Sequence, residues 1–73
     1  MKYSVLLREG NERGFVATVP ALPGCVSQGP TREAALQNVK EAIEAYIEAL
    51  VDDGLPVPSQ DSTELIDVEV SAR

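Results

Sequence analysis

A single amphipathic helix is encoded by residues 31–54, TREAALQNVKEAIEAYIEALVDDG. Apolar side chains recur in this stretch at three- and four-residue spacing, which places them in one stripe along a helix. Thr31 is a good N-cap, and Gly54, which is followed closely by two prolines, suits the C-terminal end. The pattern therefore predicts a helix from Arg32 to about Asp52. The stripe consists of Leu36, Val39, Ile43, Tyr46, Ile47 and Leu50.

Three short strands are predicted before the helix. Residues 2–8 and 15–19 both alternate at period two, and aromatic and β-branched side chains favour this state. The turn-forming segment 9–14 is short, so the two strands are expected to form an antiparallel hairpin. Residues 25–28 are expected to form a third strand. The side chains predicted to share one face of the hairpin are Tyr3, Val5, Leu7, Phe15, Ala17 and Val19.

A turn rich in proline and glycine separates the second and third strands. Pro20 and Pro23 flank an Ala-Leu pair, and Gly24 follows. Proline cannot donate to a strand ladder, and glycine permits a sharp turn. We interpret the segment mainly as a rigid structural turn. Its alternative role is a ligand loop, and an exposed rigid turn can also contact a partner.

A last strand is predicted at residues 64–70, ELIDVEV, after a polar connector at 55–63. Ile66, Val68 and Val70 share one face of this segment. The element order is then βββαβ, and the fold class is α+β. A three-stranded antiparallel sheet would carry one helix on a face, with the last strand parallel to the first. The other sheet face has no helix, so we expect it to be polar or covered by a second copy or partner.

Composition and charge exclude several classes of function. The 73 residues form one domain, with six basic and twelve acidic side chains, no histidine and one cysteine. The net charge of −6 disfavours direct nucleic-acid binding and favours a basic protein partner. An intramolecular disulfide and a Cys/His zinc site are excluded. No apolar run approaches the roughly 20 residues that cross a bilayer, so we expect a cytoplasmic protein, and its small size predicts a homo-oligomer, a dimer or tetramer.

Several motifs together resemble the HicB-like antitoxin family. The hairpin is followed by VPALPGCVSQGPT at 19–31, EAALQNVKEAI at 33–43 and GLPVP at 54–58, so the resemblance spans nearly the whole chain, 1–73. It implies a partial ribonuclease-H-like fold. It also implies the antitoxin role in a type II toxin–antitoxin pair, in which a small basic, messenger-RNA-cleaving, HicA-like toxin is bound and blocked. The motif positions in the turn and at the helix entry are Pro20, Leu22, Pro23, Gly24, Gly29 and Thr31.

Two alternatives to the antitoxin role stay open. Many members of the family carry a C-terminal DNA-binding domain, whereas no ribbon-helix-helix or helix-turn-helix pattern occurs in this sequence, so we expect no direct operator binding. One alternative is an orphan, homo-oligomeric protein-binding or regulatory module without a toxin partner. The other is a small enzyme with a carboxylate-lined cleft. Ribonuclease-H-type catalysis requires converging carboxylates, and the strands 2–8 and 15–19 contain none, so we expect no catalytic residues, metal or cofactor.

Two further features have both a functional and a structural interpretation. Cys25 is either a reactive thiol or a small buried apolar residue, and the absence of nearby positive charge favours the buried residue. The outer face of the helix is either a solvated surface or the docking site for a basic toxin. Its acidic residues are Glu41, Glu44, Glu48 and Asp52.

Overall fold

A single long helix covers one face of a three-stranded antiparallel sheet. The computed structural model describes residues 1–10 and 12–71. The α+β class and the bounds of the predicted helix are confirmed. In chain order the elements are β1 (Leu6–Glu9), β2 (Phe15–Thr18), β3 (Val26–Gly29), α1 (Arg32–Asp52) and a 3₁₀ turn (Gln60–Ser62).

The strand register sorts the side chains onto two faces. Leu7 pairs with Ala17, which pairs with Ser27, and these three residues share the face that is packed against α1. Leu6, Thr18 and Val26 are paired in the same way and share the opposite face. That face has no helix over it, and it is partly apolar, because Leu6 and Val26 are 48% and 54% exposed.

The core is small and lies between the sheet and the helix. Among residues 1–10 and 12–71, only short or medium side chains are fully buried, and tyrosines and aliphatic residues of 3–7 and α1 close the edges of the core. A chain of this length buries only about 60% of the surface that its unfolded form exposes, so each core contact is a large part of the stability. The central cluster consists of Ala17, Val19, Leu22, Cys25 and Val39.

The first strand is shorter than the predicted 2–8. The pairing of Leu6 with Thr18 would place Ser4 opposite Pro20 if it continued, and proline has no N–H to donate. The Val19 N–H donates to the Cys25 carbonyl at 3.0 Å, which continues the β2–β3 register and directs this N–H away from the first segment. Residues 2–5 therefore lack a ladder partner on β2, although their burial still alternates, with Tyr3 and Val5 facing the core.

Both ends of the helix are capped as the sequence predicts. The Thr31 hydroxyl accepts a hydrogen bond from the Ala34 N–H at 3.0 Å. At the other end Gly54 has φ +71°, a left-handed conformation that glycine adopts without strain. The Leu55 N–H donates to Leu50 at 2.9 Å and the Gly54 N–H donates to Val51 at 3.1 Å. This pair of bonds is the Schellman motif, which satisfies the last carbonyls of the helix.

The predicted final strand is not formed within the chain. Residues 64–70 are exposed throughout and pair with no other described residue, so the observed order is βββα. The 3₁₀ turn Gln60–Ser62 precedes them and is closed by Thr63 N–H donating to the Gln60 carbonyl at 3.1 Å. A strand needs both an apolar face that can be buried and a hydrogen-bonded neighbour. The alternation of residues 64–70 supplies the first and not the second.

Candidate protein-binding surfaces

The proline–glycine turn acts as a core plug, in the sense that it places the Leu22 side chain inside the core. The Cys25 N–H donates to the Leu22 carbonyl at 3.0 Å, and Gly24 between them has φ +80°. Proline followed by a glycine of positive φ is the sequence of a type II turn. The turn drives the Leu22 side chain into the core, where its exposure is 0%. Pro23 and Gly24 stay exposed at the tip, so the predicted structural role agrees with the geometry and a partner contact there is untested.

The turn is also tied to the helix. The Tyr46 hydroxyl donates to the Pro23 carbonyl at 2.7 Å. This bond joins the tip of the turn to the third quarter of α1, so the turn and the helix keep a fixed relative position. The sequence identifies Tyr46 only as a member of the apolar stripe, because a contact over 23 residues has no local signal.

The helix entry depends on a close approach between backbones. A Cβ atom on Gly29 would lie 2.5 Å from the Ala35 nitrogen and 2.7 Å from the Ala34 carbonyl carbon. Glycine is therefore required where β3 meets the first turn of α1. The Asn38 side-chain amide donates to the Gln28 carbonyl at 2.8 Å and fixes the same junction. Gly29 and Thr31 thus position the helix on the sheet.

The predicted acidic residues do share one exposed stripe. Glu41, Glu44, Glu48 and Asp52 are all exposed, and at 3.6 residues per turn they lie opposite the buried Val39. The stripe, here called the acidic stripe, extends for about 16 Å along the helix. The structure gives their placement, and their role in binding stays a prediction.

An apolar groove lies beside the helix, and the sequence analysis did not predict it. It has a volume of about 420 Å³ and runs between the N-terminal segment and α1. The helix stripe is wider than the three-stranded sheet can cover, which leaves Leu36, Ile43 and Ile47 half-buried. The only sign of this groove in the sequence is the width of the apolar stripe on the helix. The side chains that line the groove are Met1, Tyr3, Val5, Leu36, Val39, Lys40, Ile43, Glu44 and Ile47.

The thiol of Cys25 is part of the core. The residue is 4% exposed, and burial raises the pKa of the thiol. A reactive cysteine instead requires a lowered pKa and access to solvent. The predicted buried apolar role is therefore confirmed.

No group of three metal-ligating side chains is gathered anywhere in residues 1–10 and 12–71. A surface depression of about 700 Å³ opens at the hairpin end and is lined by Arg8, Glu12 and Asn38 among others. Its described lining contains one carboxylate, so it does not offer the converging acids that two-metal hydrolysis requires. In the same described ranges, no helix has the length and hydropathy of a membrane span.

Comparison with known proteins identifies the family. Residues 3–71 match the HicB-like antitoxin of bacterial toxin–antitoxin systems. The chain belongs to the HicB-like antitoxin family.

Relatives of this HicB-like chain come from archaea and bacteria. It is 45% identical to a UPF0150 protein of Thermoplasma acidophilum over 65 residues, which cover 89% of this chain and 94% of that protein. It is 51% identical to a UPF0150 protein of Synechocystis over 59 residues, 81% of this chain and 75% of the relative. Antitoxin HicB 1 of Photorhabdus laumondii is 32% identical over 97% of this chain, which corresponds to 47% of that antitoxin. The resemblance read from the motifs is thereby confirmed.

Proposed function

We propose that this protein is the antitoxin of a type II toxin–antitoxin pair and neutralises a small basic, messenger-RNA-cleaving toxin of the HicA-like kind. The observation that carries the proposal is the match of residues 3–71 to the antitoxin family, together with the similarity to a protein named Antitoxin HicB 1. The mode of action is stoichiometric binding. Nothing in the described chemistry requires catalysis by this chain.

The acidic stripe is the surface that we assign to the toxin. A protein that acts on RNA presents positive charge to the phosphate backbone. The four carboxylates of the stripe project from one rigid helix, and Asp53 extends the charge at its C-terminal end. Fixed charges of one sign steer an oppositely charged partner and raise the association rate. The stripe and the toxin's RNA-binding surface are therefore complementary in charge.

Charge alone gives only part of the affinity. An exposed ion pair contributes about 0.2–1 kcal/mol, so four such pairs mainly set the rate and selectivity of encounter. Val51, which is 61% exposed near the C-terminal end of the same helix, offers an adjacent apolar contact. We expect charge reversal on the stripe to reduce the association rate strongly at low salt and less at high salt.

The test begins with affinity purification of the tagged chain from its native cells at moderate salt. A stoichiometric small basic protein that cleaves RNA when freed, and stops when the chain is returned, is the expected result. Recovery of self-associated chain alone would instead support an orphan binding module. The purified pair then allows the stripe to be tested separately from the antitoxin role.

Charge-reversal variants supply that second test. The double variant Glu44→Lys, Glu48→Lys is expected to slow toxin association by about tenfold or more at low salt. Glu9→Lys, Glu12→Lys is the matched control, because it makes the same charge change at the exposed hairpin end. Equal effects of the two variants would show that net charge, and not the stripe, governs binding.

A further inference from the structure

Residues 64–70, here called the arm, have the composition of a strand but no strand partner. Their apolar side chains alternate with acidic ones, yet Leu65, Ile66, Val68 and Val70 are 68–78% exposed. Three consecutive core-type positions on one face are not expected to stay in water when a strand edge is available. The single chain therefore provides no surface that covers the apolar side chains of the arm.

The whole molecule exposes more surface than a compact chain. Its accessible area is 5864 Å², against about 4,400 Å² expected for a compact monomer of 7.8 kDa. Its radius of gyration is 14.1 Å, against about 11 Å expected for 73 residues. The excess area, roughly 1,500 Å² for each chain, amounts to about 3,000 Å² for two chains, which is within the range of total area that obligate homodimer interfaces bury. A projecting, uncovered segment accounts for both differences.

An unpaired strand edge that could receive the arm lies near the N-terminal end of the sequence. Strand β1 is an edge of the sheet, and beside it the apolar groove opens between Tyr3, Val5 and α1. An exposed strand edge presents unpaired N–H and C=O groups that a further strand can satisfy. Residues 2–8 and the arm each contain seven residues with period-two alternation, so their lengths agree.

The two segments also match face by face. In residues 2–8, Tyr3, Val5 and Leu7 face the core, whereas Lys2 and Arg8 face solvent. The segment from residue 1 to 8 contains no acid, and residues 55–71 contain no base.

If the arm is laid beside β1, its even-numbered apolar residues cover the groove, and Glu64 is on the same face at the start of the arm. Asp67 and Glu69 then share the outer face with the two bases. A strand placed in the same position but turned over would put both carboxylates into the apolar groove.

The chain's own arm does not occupy this place. The connector reaches the N-terminal segment, where the Tyr3 hydroxyl donates to the Pro58 carbonyl and the Ser4 N–H donates to the Gln60 side chain at 2.9 Å. The 3₁₀ turn at Gln60–Ser62 follows at once and leads the arm out into solvent. The connector is thus anchored beside β1 while the arm leaves it.

We propose that the arm of one copy adds to the β1 edge of a second copy and covers its apolar groove, so that two chains exchange arms reciprocally. The contact is isologous, because each copy gives an arm and receives one. Addition of a strand to an edge supplies main-chain hydrogen bonds, and the alternating side chains supply selectivity. This interface does not depend on the toxin and leaves Glu41, Glu48 and Asp52 of the acidic stripe uncovered, whereas Glu44 lies at the rim of the covered groove.

The first experiment is sedimentation equilibrium of the full chain across a concentration series. A dimer is expected, and Val68→Glu is expected to weaken it on the order of 100-fold, since a charge replaces a buried aliphatic group in each of two arms. Val26→Glu is the matched control, because it is the same change at an exposed position on the uncovered sheet face. Far-ultraviolet circular dichroism checks that both variants fold. A chain that is monomeric throughout, or a dimer broken by Val26→Glu and not by Val68→Glu, overturns the proposal.

A crosslinking experiment distinguishes exchange from closure within one chain. Chains carrying Leu6→Cys are mixed with differently tagged chains carrying Asp67→Cys, both on the outer face, and oxidised. A mixed disulfide between the two tags is expected. Val26→Cys in place of Leu6→Cys moves the thiol to the opposite sheet edge and should not crosslink. A monomeric internal disulfide in the double variant Leu6→Cys, Asp67→Cys, without a mixed product, would show that each arm closes on its own chain.

Discussion

Replacement of Gly29 by alanine tests how the helix is seated on the sheet. The added Cβ would lie 2.5 Å from the Ala35 nitrogen, about 1 Å closer than an ordinary contact, and the atoms that it meets are helix backbone. The helix must therefore move as a body, which also strains the bond from Asn38 to the Gln28 carbonyl. Overpacking of this kind costs about 1–3 kcal/mol. Because the φ of Gly29 is not positive, alanine recovers about 0.4–1 kcal/mol by restricting the unfolded chain.

The expected net loss is about 1–2 kcal/mol of unfolding free energy. For a domain of this size that lowers Tm by about 5–15 °C. Urea unfolding followed by the helix signal at 222 nm measures it, with all variants at one protein concentration because association stabilises the folded state. Gly10→Ala is the control: its Cβ would meet the Gly14 carbonyl at 3.6 Å, an ordinary contact, and its φ is not positive, so it should be unchanged or more stable by about 0.4–1 kcal/mol. If Gly29→Ala were as stable as the parent chain, the argument from close backbone approach would be refuted.

Three further changes test the core, the cap and the thiol. Leu22→Ala empties a fully buried position and should cost about 2–5 kcal/mol, enough to leave much of the chain unfolded at 25 °C; urea midpoints that stay unchanged would contradict the role of the turn as a core plug. Thr31→Ala removes the acceptor for Ala34 N–H and should cost about 1 kcal/mol, whereas Thr31→Ser should retain most of it. Burial raises the pKa of the Cys25 thiol, so the folded chain keeps a proton that the unfolded chain releases. The resulting stability is fully present below the unfolded thiol pKa of about 8.5 and declines as pH rises toward the folded value, a slope that Cys25→Ala should lack.

Local features of the fold were predictable from the sequence. The bounds of α1, the Thr31 cap, the Gly54 terminus and the turn at Pro23-Gly24 each depend on residues within a few positions of one another, and the structure contains all of them. The acidic stripe follows from helical periodicity in the same way. The family was also readable, because its motifs lie in these local features.

Features that depend on distant partners were settled only by the tertiary structure. The sequence gives residues 2–5 and 64–70 the alternation of strands, but alternation cannot show whether a hydrogen-bonding neighbour is present. Pro20 leaves the first segment without a partner on β2, and the turn at Gln60–Ser62 leads the second away from the sheet. The bond from Tyr46 to Pro23 and the groove beside α1 likewise join residues far apart in the chain. Helices satisfy their backbone groups internally, whereas a strand must find its partner elsewhere, and this difference separates what the sequence determined from what only the folded chain decided.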